Sequence, residues 1–129
     1  SKAVLMSSSR VIPRLVSYVF YEDDPEHYTG GGCQVFLYGD RGFMFAIFGR
    51  GFFAEFLKGA EHFMTDNGLS SLEGYMSPAN ARSVRIGCRS YPNLTVTIDH
   101  PKEIDNHKVV WVSVTKISKG DTSSVTSSM

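Results

Sequence analysis

The chain has 129 residues, 42% of them hydrophobic, enough for one domain with its own core. Thirteen Lys and Arg balance thirteen Asp and Glu, so no net field draws the protein to nucleic acid or to an anionic membrane surface. Two cysteines, Cys33 and Cys88, are too few for a disulfide framework and read as reduced thiols of a cytoplasmic protein; no apolar run approaches the about 20 residues of a membrane span, and the first residues lack a signal-peptide pattern.

Residues 3–6 form a short apolar segment, enough for an edge strand or a helix start, which Ser7, Ser8 and Ser9 interrupt. Between Val11 and Glu22 both periods occur, and a strand over 15–21 is expected because Pro13 opposes a helix through it. Residues 22–32 are acidic and then glycine-rich, which predicts a mobile loop. The apolar runs 33–38 and 42–48, joined by Gly39, Asp40 and Arg41, predict an antiparallel hairpin.

Residues 52–66 carry the clearest helical pattern. Phe53, Phe56, Leu57, Ala60 and Phe63 or Met64 share one face, Glu55, Lys58, Glu61 and Asp66 the other, and Asn67-Gly68 supplies the stop. A strand over 69–76 follows, and Pro78, Ala79 and Asn80 open a short second helix. Residues 94–99 and 109–117 alternate as strands around a polar hairpin loop at 101–107. The Ser/Thr-rich residues 118–129 read as a flexible tail behind a single domain, 1–117. The expected fold class is α+β, a mostly antiparallel mixed sheet with one long helix packed on it.

Strand, Gly49-Arg50-Gly51 turn, long helix, strand and then Asn80 is an order that resembles the GNAT superfamily of acyl-CoA-dependent N-acyltransferases. Gly51 falls at the first required glycine of the family's pyrophosphate turn, Gly68 where its helix commonly stops, and Asn80 at its cofactor-side Asn. The resemblance covers 42–117 and implies acetyl-CoA as cofactor. On that basis Phe48, Gly49, Arg50, Gly51, Phe52 and Phe53 would bind the pyrophosphate, and Asn80 the pantetheine side. Such a turn needs inward-pointing N–H groups at a helix N-terminus and no obstructing side chain, which Gly49 and Gly51 provide.

Three positions depart from the family. Phe48 replaces a usual Gln or Arg, Phe53 a usual Gly or Ala, and Gly87 a Tyr that protonates the leaving thiolate. Tyr91 is the candidate replacement acid and Glu22 the candidate base acting through water. The alternative is a catalytically inactive GNAT-like fold serving as a structural or interaction subunit, similar to reduced GNAT-like proteins of tailed bacteriophages, located in host cytoplasm or virion. The four histidines show no metal spacing with the cysteines, so no metal is expected. Arg82, Arg85 and Arg89 would bind nucleic acid only from one helix face, and Gly87 and the neutral balance of charge oppose that reading. Consecutive apolar residues over 43–47 cannot all be hidden in a two-layer domain, which predicts a protein partner or homo-oligomer.

Overall fold

The computed structural model describes residues 13–22, 29–49 and 52–117. The predicted segment 3–6 and the tail 118–129 lie outside them. The described elements follow the order β1 (Arg14–Glu22), β2 (Thr29–Tyr38), β3 (Arg41–Gly49), α1 (Phe52–Asp66), β4 (Ser71–Met76), α2 (Pro78–Cys88), β5 (Leu94–Ile98), β6 (Lys102–Ile104) and β7 (His107–Lys116). The sheet runs β1-β2-β3-β4-β7-β5, with β6 paired to β7. Every pairing is antiparallel except β3 with β4.

Both helices cover one face of this mixed sheet. The expectation of one long helix is therefore corrected to a pair of 15 and 11 residues that pack on each other. Helix α1 turns Phe56, Leu57, Ala60 and Met64 onto Val35, Leu37, Met44 and Leu72, all nearly or fully buried. Enclosing each large side chain contributes about 1.5–3 kcal/mol. The Tyr18 hydroxyl ties the helix to β1 by donating to the Phe56 carbonyl at 2.7 Å, and the Tyr18 ring stacks on Phe63. Helix α2 is capped by Ser77, whose hydroxyl accepts from the Asn80 N–H at 3.2 Å, with Pro78 opening the first turn.

Two segments differ from their sequence-based reading. Gly30, Gly31 and Gly32 were expected in a loop but belong to β2, paired with Tyr21, Phe20 and Val19. A Cβ on Gly32 would come within 2.5 Å of the Tyr18 carbonyl oxygen, so the backbones meet there only because side chains are lacking. The expected polar loop 101–107 contains β6, which folds back onto β7 through Asp105 and Asn106, at φ of 51° and 65°. Positive φ at both residues is the geometry of a two-residue type I′ turn, which Asp and Asn tolerate.

The sheet face turned away from both helices carries Leu15, Val19, Phe36, Tyr38, Phe45, Phe48 and Tyr75, each between 39% and 61% exposed. Burial of alternate residues on the other face puts Tyr18, Cys33, Val35, Leu37 and Met44 inward. The period of two thus leaves an aromatic outer surface among the described residues.

Candidate functional site

The parallel pair β3 and β4 holds together over three positions: Arg41 opposite Ser71, Gly42 opposite Leu72 and Phe43 opposite Glu73. The carboxylate of Glu73 clamps this closed end. Arg41 donates to it from Nε at 2.8 Å and from Nη2 at 2.9 Å, the Ser71 hydroxyl at 2.7 Å, and the Trp111 indole at 3.1 Å. Four donors on one buried carboxylate outweigh the cost of enclosing it, and the Arg41 guanidinium leads in holding its pKa down at about 2. Gly74 extends the close contact by one residue, since a Cβ there would sit 2.8 Å from the Met44 carbonyl oxygen.

Beyond that point the strands part. Phe45 and the residues after it have no ladder partner on β4, and Tyr75 and Met76 have none on β3. The cause lies in β3. Between the pairs Gln34–Phe45 and Gly32–Phe48, β2 advances two residues and β3 three, so β3 carries a bulge. Ala46 takes φ of 51° there. Such an extra residue bends its strand and leaves backbone groups outside the ladder. The C-terminal halves of β3 and β4 thus border a cleft, and Ala46 and Ile47 on its β3 side have no register partner on β2 or β4.

Chain connections place two helix starts at the mouth of this cleft. Strand β3 ends at Gly49 and α1 begins at Phe52; β4 ends at Met76 and α2 begins at Pro78. Because β3 and β4 are parallel, both helix N-termini lie at the same end of the sheet, where free N–H groups favour an anion. Crevices at the carboxyl ends of parallel strands are the general ligand position in α/β sheets.

The sequence-predicted residues divide accordingly. Phe48 and Gly49 are the last two residues of β3, toward the mouth, Phe52 and Phe53 open α1, and Asn80 sits exposed in the first turn of α2. Arg50 and Gly51 lie outside the described residues. Phe48 is on the outer sheet face, opposite Gly32, and more than half exposed. Glu22 ends β1 at this same end of the sheet, since β1 and β3 both run antiparallel to β2; two strand spacings separate it from β3, about 10 Å.

Tyr91 is not brought to the cleft. It follows the C-terminus of α2, accepts the Leu94 N–H at its carbonyl, and packs against the core just before β5. Asn80 lies in the first turn of α2 and Tyr91 beyond its last residue, Cys88, so about 12 Å of helix runs between Asn80 and the end of α2 alone. Gly87 has a packing role: a Cβ on it would fall 2.4 Å from Leu57 Cδ1, so α1 occupies the volume of any side chain there.

Tyr75 lies on β4 just past the last β3–β4 pair, 40% exposed and edge-on to Trp111 at 4.8 Å. Alternation in β4 marks it as outward-facing, but nothing in the sequence says that β3 leaves β4 one residue earlier. Both cysteines are buried free thiols; burial pushes Cys33 up to about 12 and raises Cys88. Among the described residues no group of three or more His, Cys, Asp or Glu is placed to hold a metal, and no helix is long and apolar enough to cross a membrane.

No protein-family model matches the sequence, and no curated protein matches it. The three-dimensional structure is similar to the crystal structure of a putative acetyltransferase from Agrobacterium tumefaciens, with a TM-score of 0.57 and 14% sequence identity over 91% of this chain and 87% of that one. The two chains share a fold. At this identity the match establishes the arrangement of strands and helices, and the chemistry rests on the residues of the cleft itself.

Proposed function

We propose that this chain is an acyl-CoA-dependent N-acyltransferase, moving an acetyl group from acetyl-CoA to an amine. The observation that carries the reading is the parting of β3 from β4 after the Phe43–Glu73 pair, at the end of the sheet where α1 and α2 begin. The cleft suits an extended thioester arm bearing phosphates. The bulged backbone at Ala46 and Ile47 would offer hydrogen bonds to amide groups of the arm, and the start of α1 would offer N–H groups to a pyrophosphate.

Acetyl-CoA would supply the acyl group already activated as a thioester. Backbone amides over 48–53, with the Arg50 guanidinium, would hold its pyrophosphate, and Asn80 would contact the pantetheine side. The amine must lose a proton to attack, and the departing sulfur must gain one. Glu22, at the same end of the sheet, would accept the amine proton through water. Tyr75, at the point where the strands part, would return a proton to the sulfur. This last assignment replaces Tyr91, which α2 holds at its far end.

Calorimetric titration with acetyl-CoA and with CoA tests the reading. Saturable binding that Gly51→Trp abolishes supports it; absence of binding at high micromolar ligand defeats it.

A second reading is favoured by Gly87 and by the outer face. A side chain at position 87, where the resemblance puts the family's usual acid, would meet Leu57, and seven outer-face side chains are exposed. Under that reading the GNAT-like domain is inactive and serves as an interaction or structural subunit, its sheet face meeting a protein partner or a second copy. Cofactor binding without turnover on any amine, together with a concentration-dependent oligomer in sedimentation, would favour it.

A further inference from the structure

Helix α2 has two flanks. Asn80 and Gly87, seven residues apart, lie on the flank toward α1, where Leu57 meets Gly87. Arg82 and Arg85 lie on the other, three residues apart and therefore neighbours on the helix surface. Beneath them runs an open groove of ≈ 350 Å³ walled by Pro78, Ala81, Arg82 and Arg85 and floored by Ile98 of β5 and Val110 of β7. This groove is separate from the β3–β4 cleft, because the body of α2 stands between them.

The groove is chemically two-sided. Pro78, Ala81, Ile98 and Val110 give it an apolar base, while both guanidiniums stand at its wall. Neither arginine makes a hydrogen bond or ion pair among the described residues. The carboxylate that follows Ile98, that of Asp99, accepts the His100 N–H at 2.8 Å. Two adjacent uncompensated guanidiniums repel each other, and a shared anion relieves that repulsion while taking parallel N–H···O bonds from each. A volume near the lower end of small-molecule sites, about 300–1,000 Å³, excludes a large ligand and admits a short chain.

We propose that Arg82 and Arg85 bind a small amphiphilic anion in this groove. Its carboxylate or phosphate head sits between the two guanidiniums, and a short apolar body lies over Ile98 and Val110. The site does not depend on acyl transfer in the cleft and stands or falls separately from it.

Amide chemical shifts of the full chain, followed during titration with hexanoate, hexyl phosphate and inorganic phosphate, test the proposal. Saturable shifts at residues 78–85, Ile98 and Val110 are expected with at least one of the two alkyl anions. The tighter of the two identifies the head group, and inorganic phosphate should bind at least tenfold more weakly than hexyl phosphate if the head is a phosphate. Arg82→Gln/Arg85→Gln should weaken the better ligand at least tenfold with an otherwise unchanged spectrum, because both side chains are exposed and unpartnered. Ile98→Asn should reduce the gain from the alkyl chain. No saturable shift with either alkyl anion at millimolar concentration overturns the proposal, as does equal affinity in the double arginine variant. Binding of inorganic phosphate as tight as that of hexyl phosphate removes the apolar body and overturns it likewise.

Discussion

Arg41 grips Glu73 through both carboxylate oxygens at the closed end of the cleft, spanning β3 and β4 where they last run side by side. Ser71 and Trp111 complete the shell from β4 and β7, so three strands are fastened at one carboxylate. The open end of the cleft is anchored by this closed one.

Replacement of Glu73 by Gln should therefore destabilise the fold. The shift from 4.5 to about 2 sets an upper limit; because Arg41 is half exposed, solvent reduces the expected loss to roughly 2 kcal/mol near neutral pH. The folded pKa is lowered, so the contribution is complete above the unfolded pKa near 4.5 and disappears as pH falls toward about 2. Urea unfolding of both proteins at pH 7, 4 and 2.5 should show the difference shrinking with acidity. A difference independent of pH would mean that the carboxylate's charge is not what stabilises.

A tyrosine placed at position 87 should harm this protein. The new side chain must displace Leu57, which is 2% exposed, and overpacking of this kind costs about 1–3 kcal/mol. In a double-mutant cycle Gly87→Tyr should cost less when Leu57 is already Ala. Additive losses would show that the two positions do not compete for space.

If Tyr75 returns the proton to sulfur, Tyr75→Phe should lower kcat for acetyl transfer by about tenfold to a hundredfold, water substituting in part, with little change in KM. Stopped-flow measurement of thiol release checks this. An unchanged kcat would take Tyr75 out of the chemistry while leaving its packing on Trp111 intact.

Neither cysteine should react quickly with a neutral thiol reagent at pH 8 in the folded protein, since burial raises both pKa values and shields both sulfurs. Both should react at once in denaturant. For Cys33 the raised pKa also predicts a stability contribution that is full below the unfolded value near 9 and lost as pH climbs toward about 12. Fast labelling of the native chain would place a thiol at the surface.

Much of the fold can be read from the residues. Helix α1 begins and ends where its apolar period and Asn67-Gly68 predict, and Pro78 marks the start of α2. The hairpin of β2 and β3 follows from two apolar runs around Gly39 and Asp40. What escaped sequence reading depends on contacts between distant segments. The glycine triplet 30–32 has loop composition, yet pairing with β1 makes it strand because the neighbouring backbone needs the space. The charged strand β6 is held by a turn geometry and not by hydrophobic alternation.

The candidate site divides in the same way. Asn80 and the end of β3 were legible because a strand–turn–helix order has a local signature. The parting of β3 and β4 was not, since it arises from a bulge at Ala46 and from how far two strands stay paired. Tyr91 looked suitable by its nearness to Asn80 in sequence, and the length of α2 removes that nearness in space. Arg82 and Arg85 were visible as a helical pair, but the groove beneath them depends on Ile98 and Val110, which only the sheet brings together.

The most direct test of the cleft is an amide chemical-shift map of the chain titrated with acetyl-CoA. Binding between β3 and β4 predicts saturable shifts concentrated at residues 45–49, 52–54 and 75–80, with small effects on the outer-face residues Leu15 and Phe36. Shifts absent at high micromolar acetyl-CoA, or confined to Leu15, Val19 and Phe36 on β1 and β2 or to the Arg82–Arg85 groove, would contradict it.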